Sequence, residues 1–184
     1  MPPVRRIHDQ TLLDALVSLG GEAFHDTAWR VTWATRDPLL GNAAGGRWHP
    51  ANSFEALYAS LAADGALGEA YYHLSRAPVM PSSNVRLATL TVRTKRTLRL
   101  PDMESVVRLG VDEARYASLN YDRCQKIGAA AFFLEFDSLI APSARTPYLN
   151  LVLFLDRLDL EKAVTVEALS EVNWPAWKAL QRDA

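Results

Sequence analysis

The chain has 184 residues, 49% of them hydrophobic and 22% charged, with a net charge of −1. That length and balance suit one globular domain, or one domain with a short extension, able to bury a sizeable core without disulfides or a metal. No basic excess marks a face for DNA or RNA, and no apolar run approaches the roughly 20 residues that span a bilayer.

In chain order, Leu12, Leu13, Leu16, Val17 and Leu19 follow a helical period that stops at Gly20-Gly21. Thr27 to Ala34, rich in Trp, Val and Thr, reads as a strand, and Pro38 to Gly46 as a loop. Phe54 to Ala59 is a short strand. Leu67, Ala70, Tyr71 and Leu74 then share one face of a helix spanning Ser60 to Leu74. Pro78, Pro81, Ser82 and Ser83 form a loop. Val85 to Val92 alternates as a strand. The basic run Arg93-Thr94-Lys95-Arg96 marks a solvated strand end or turn, and Thr97 to Leu100 makes another short strand. Asp122 to Phe136 has the clearest helical spacing, with Ile127, Ala130, Ala131 and Leu134 on one face. Ser138 to Ala141 and the apolar run Asn150 to Leu155 are strands, Val164 and Val166 mark a last one, and Pro175 to Leu180 begins a final helix. Helices and strands do not alternate regularly, so the expected class is α+β rather than a doubly wound parallel sheet.

Cys124 is the sole cysteine, which precludes an internal disulfide and suits a reducing compartment; its place in a helical pattern marks it as a core residue rather than a nucleophile. The N-terminus lacks a signal-peptide pattern, so a soluble, cytoplasmic protein is expected. His8, His25, His49 and His73 have no metal-type spacing, and no GxGxxG, Walker A, CxxC or GxSxG motif occurs; no metal is expected.

Three segments carry polar residues in apolar settings. Arg30 stands inside the Trp29–Val31 strand and needs an anion or an internal acid such as Glu69, because an unpaired buried guanidinium is costly. Gly45-Gly46-Arg47-Trp48-His49 sets a guanidinium fork beside glycines that let backbone approach a ligand, although a plain turn has the same composition. Tyr58 offers a flat ring, and Glu69 follows among small and apolar residues, where it is either a cleft carboxylate or a solvated helix acid.

Together these segments resemble the RES domain family of toxins. The resemblance rests on Trp29-Arg30, Gly45-Gly46-Arg47-Trp48, Leu57-Tyr58-Ala59, Glu69, Ala141-Pro142-Ser143-Ala144-Arg145 and Asn150-Leu151-Val152-Leu153-Phe154, in family order. The motifs run from about residue 29 to residue 155, so the whole chain, 1–184, is expected to be a single RES domain. His49, where asparagine is usual, and Pro147-Tyr148, in place of a small spacer, depart from the pattern.

The resemblance implies an ADP-ribosyltransferase-like α+β fold, with a mixed, split β-sheet core and flanking helices. It implies NAD⁺ as the substrate, cleavage of its nicotinamide–ribose bond, and transfer of ADP-ribose to water, phosphate or a protein. It also implies a bacterial toxin–antitoxin pair whose antitoxin carries a helix-turn-helix (Xre-like) domain and blocks the cleft. In that reading Glu69 stabilises the cationic ribose, and Arg30 and Arg47 hold phosphates. Tyr58 stacks on nicotinamide, Ser143 bonds the nicotinamide ribose or positions Arg30, and Asn150 gives a supporting polar contact. The alternative is a non-catalytic interaction module in which Arg30 and Glu69 are a buried ion pair.

Overall fold

A computed structural model describes residues 8–76 and 84–182. Helix α1 (Gln10–Leu19) starts where the Asp9 carboxylate accepts the Thr11 N–H, and it ends at Gly20. The chain then runs through β1 (Glu22–Trp33), β2 (Ala56–Ser60), α2 (Ala63–Leu74) and β3 (Val85–Arg99). Next come α3 (Met103–Arg108), α4 (Asp122–Phe133), β4 (Ser138–Pro142) and β5 (Leu149–Phe154). It closes with α5 (Leu160–Ala163), β6 (Val164–Glu171) and α6 (Trp174–Leu180). The expected α+β class is observed.

The strands fall into two halves. In one, β3 lies antiparallel between β1 and β6; in the other, β5 lies antiparallel between β2 and β4. The halves meet where β3 pairs in parallel with β4 over Thr97–Arg99, and where Trp29 of β1 pairs with Ser60 of β2. This split explains the uninterrupted apolar runs of β4 and β5. Leu151, Leu153 and Ile140 face a core between the halves, together with Leu57, Ala88 and Leu90. Their neighbours Val152, Phe154 and Leu139 face a second core against α1, α3 and α4, which holds Leu16, Val106 and Ile127. A strand buried on both faces loses its alternation. Each of the Leu, Ile, Val and Phe side chains among these stabilises the fold by about 1.5–3 kcal/mol.

Three expectations change. The run Arg93-Thr94-Lys95-Arg96 lies inside the 15-residue β3, which absorbs both predicted strands. Thr94 points inward, its hydroxyl 2.6 Å from that of Thr97, while Arg93 and Lys95 point outward. The Asp137 carboxylate accepts the Lys95 N–H at 2.7 Å, so a distant acid, invisible to local pattern, holds the strand here. Helix α4 stops at Phe133, before the predicted Phe136, because Glu135 turns the chain with φ 64. Helix α3 was not predicted; Asp102 and Ser105 cap it reciprocally. The expected loop at Pro78, Pro81, Ser82 and Ser83 lies outside the described residues. Cys124 is buried in the second core, as expected of a structural thiol. Among the described residues, no helix is long and apolar enough to cross a membrane, and no group of three or more His, Cys, Asp or Glu could hold a metal ion.

Candidate active site

Helix α2 presents two stripes. Leu67, Ala70, Tyr71 and Leu74 pack against Val85, Val172 and Trp174, as the apolar period predicts. The adjoining stripe, Ala66, Glu69, Ala70 and His73, lines a cleft of about 600 Å³, a size usual for small-molecule and cofactor sites. Arg30 on β1, Gly46 and Arg47 on the loop before β2, Tyr58 on β2, and Arg145 and Asn150 around β5 complete the same cleft. Five predicted residues, Arg30, Arg47, Tyr58, Glu69 and Asn150, therefore meet there, and the sixth, Ser143, touches Glu69.

Glu69 is the best-held polar group. Its Oε1 accepts from the Ser143 hydroxyl at 2.5 Å and from the Asn150 amide at 2.9 Å. Ser143 Oγ in turn accepts the backbone N–H groups of Arg145 and Thr146, each at 3.0 Å. A half-buried carboxylate fixed by two donors on one oxygen leaves its other oxygen to face the cleft. Ser143 thus positions Glu69 and not Arg30, a correction to one of its expected roles. The buried Arg30–Glu69 ion pair is not formed either: Arg30 donates to the Pro38 and Leu40 carbonyls at 2.9 and 3.1 Å. Burial pushes the Arg30 guanidinium down to about 10, and nearby Arg36 adds to the fall, with Asp37 opposing. A cation strained in this way is a ready partner for an incoming anion.

Arg47 is held differently. Its guanidinium lies between the Tyr116 and Tyr121 rings, 4.7 and 4.6 Å from their centroids. It donates to the Tyr116 carbonyl at 2.5 Å and more weakly to that of Ser118 at 3.4 Å. It therefore ties the loop before α4 to the glycine loop, as well as lining the cleft. Gly46 is required by close approach: a Cβ there would stand 2.7 Å from the Tyr58 hydroxyl. That hydroxyl accepts the Trp48 N–H at 3.0 Å and lies 2.9 Å from His49 Nδ1. Burial pushes the Tyr58 phenol up, so it stays protonated, and burial pushes the His49 imidazole down, so it stays neutral.

Sequence reasoning did not assign His49, Tyr116, Tyr121 or Arg145 to the site. His49 and Arg145 carried a signal, His49 as a departure from the family pattern and Arg145 as the last residue of the quoted Ala141–Arg145 motif. Tyr116 and Tyr121 lie far along the chain from Arg47, the group they touch.

The Tyr58 hydroxyl anchors a buried backbone N–H, so Tyr58→Phe should destabilise the protein by about 1–3 kcal/mol, the scale of one orphaned buried donor. Denaturant unfolding checks this; an unchanged midpoint would remove the anchoring role.

Comparison with known proteins gives a family and a fold likeness. The RES domain profile matches residues 27–175. Proteins named NAD(+) phosphorylase MbcT, from Mycobacterium tuberculosis and Mycobacterium bovis, are 29% identical over 143 residues, covering 74% of this chain and 77% of theirs. The fold is like that of the M. tuberculosis MbcT-MbcA toxin-antitoxin complex, with a TM-score of 0.80 at 22% identity over 95% of this chain and 98% of that one. With the profile spanning most of its length, the chain belongs to the RES domain family.

Proposed function

We propose that this chain is the toxin of a toxin–antitoxin pair that cleaves the nicotinamide–ribose bond of NAD⁺ and passes ADP-ribose to an acceptor. The observation that carries the reading is Glu69, held by Ser143 and Asn150 in a cleft that Arg30, Arg36, Arg47 and Arg145 also line. Relatives named NAD(+) phosphorylase favour phosphate as the acceptor over water or a protein side chain. A relative crystallised with its antitoxin supports a protein partner, which we take to carry a helix-turn-helix (Xre-like) domain and to cover the cleft.

The chemistry suits these residues. Nicotinamide leaves as a neutral molecule and needs little acid help, while positive charge grows on the ribose as in glycoside hydrolysis. A preorganised carboxylate is the main requirement, and Glu69 supplies it. Arg30 and Arg36 would take the pyrophosphate, whose charge relieves the penalty on the buried Arg30. The Tyr58 ring would stack on nicotinamide, and Arg47 would keep the glycine loop closed around it while facing the phosphates.

The test is to incubate the protein with NAD⁺ and phosphate and follow nicotinamide release, with mass spectrometry of the ribosyl product. Release with ADP-ribose 1-phosphate supports the reading; no release under any acceptor condition removes it. NAD⁺ should also raise the melting temperature of the wild type, by the equivalent of about 2.7 kcal/mol at roughly 100 times Kd, and should do so far less for Arg30→Gln. An equal rise in both would take Arg30 out of substrate binding.

A further inference from the structure

The basic side chains of the cleft, Arg47 aside, form two groups on different parts of the chain. Arg30 and Arg36 belong to β1 and the loop after it, and the Arg36 charge adds to the penalty on Arg30. Arg145 and His73 belong to the Glu69 end. The Arg145 N–H and Glu69 share one Ser143 hydroxyl, at 3.0 and 2.5 Å, and His73 Nε2 lies 3.9 Å from Glu69 Oε2.

The two groups also differ in what they hold. Arg30 and Arg47 donate to backbone carbonyls and so build the walls. The Arg145 guanidinium lies 3.9 Å above the Tyr72 ring, and among the described residues it donates to no carbonyl and pairs with no carboxylate. A guanidinium fork that rests over an aromatic ring and lines a concave site is preorganised for a tetrahedral oxyanion. A dinucleotide brings one pyrophosphate, and the Arg30 group already meets it.

We propose that Arg145, over the Tyr72 ring in the cleft that His73 also lines, binds the inorganic phosphate that accepts ADP-ribose. This rests on the NAD⁺ reading above and assigns its acceptor. The physical need is specific to phosphate. Glu69 must stay negative to stabilise the ribosyl cation, and that charge repels an approaching phosphate dianion but not a water molecule. A cation beside Glu69 offsets the repulsion and raises the local phosphate concentration. The step is balanced without oxidant or reductant. A phosphate oxygen lone pair bonds the anomeric carbon as the C–N bond breaks. The C–N electron pair stays on the ring nitrogen, turning pyridinium into neutral nicotinamide, and the phosphate proton passes to solvent.

The test uses the full chain, with initial rates of nicotinamide release measured at varied phosphate and at varied NAD⁺. Arg145→Gln should raise the KM for phosphate by about tenfold to a hundredfold, the scale of one charge-assisted hydrogen-bond set. The KM for NAD⁺ should move by less than about twofold, and the product should shift from ADP-ribose 1-phosphate toward free ADP-ribose. Arg145→Lys, which keeps charge without the fork, should fall between. Tyr72→Leu, which removes only the platform, should raise the phosphate KM by a smaller factor. A phosphate KM unchanged in folded Arg145→Gln overturns the proposal. So does a parallel rise in the NAD⁺ KM, which would assign Arg145 to the dinucleotide. If the wild type releases no nicotinamide, the NAD⁺ reading fails separately. Phosphorus NMR titration of inorganic phosphate then decides the site: binding lost in Arg145→Gln sustains it, and equal or absent binding overturns it.

Discussion

Glu69→Gln should slow nicotinamide release by about 10²–10³-fold or more, the loss typical of a preorganised electrostatic group, in a protein that still folds. The substitution keeps shape and removes charge. The glutamine carbonyl can still accept from Ser143 and Asn150, which hold Oε1 at 2.5 and 2.9 Å, so packing and backbone geometry have no reason to change. The i,i+4 contact with His73 at 3.9 Å is an exposed pair of the kind that contributes about 0–1 kcal/mol, so its loss is a small stability effect. The proposed ribosyl cation, by contrast, would lose the one carboxylate that lines the cleft among the described residues. Nicotinamide release and thermal unfolding, measured on the same preparation, separate these outcomes. Wild-type turnover in folded Glu69→Gln would remove Glu69 from the reaction.

Gly128→Ala should unfold the protein more easily, by about 3 kcal/mol or more, although helix propensity alone would make it stabilising by about 1 kcal/mol. Gly128 lies in α4 against the glycine loop, and a Cβ there would stand 1.6 Å from the Trp48 carbonyl oxygen and 2.7 Å from its carbon. That obstacle is backbone and cannot rotate away. Moving it would drag the buried Trp48 and His49, the Trp48 N–H bond to Tyr58, and the 2.9 Å bond from Gln125 to the Gly46 carbonyl. For a domain of this size the fall in melting temperature is roughly 2–4 °C per kcal/mol, so about 6–12 °C is expected. A melting temperature at or above wild type would mean that α4 does not press on the loop as described.

Much of the fold was legible. Leu12 and Leu16 announced α1, Ile127 and Ala131 announced α4, and the unbroken apolar run before Leu155 announced a strand buried on both faces. The errors came from local reading of groups whose partners are remote. Four charged or polar residues in a row looked like a strand end, yet Asp137 and the pleat carry β3 straight through them. Glu135 looked like a continuation of α4, yet it takes a left-handed turn.

The site shows the same division. The sequence determined which residues are unusual in their surroundings: a guanidinium in an apolar strand, a carboxylate on a small-residue stretch, glycines beside Arg47, a serine after proline. Residue type and order sufficed for that, because those groups cannot be buried without a partner or a ligand. The partnerships themselves were decided by the tertiary structure. Arg30 and Glu69, the ion pair of the alternative reading, bond elsewhere; Ser143 and Asn150 converge on Glu69 from 74 and 81 positions away, and Arg47 reaches Tyr116 across 69. Contacts at such separations depend on how two half-sheets meet, and side-chain periodicity within an element carries no information about that meeting.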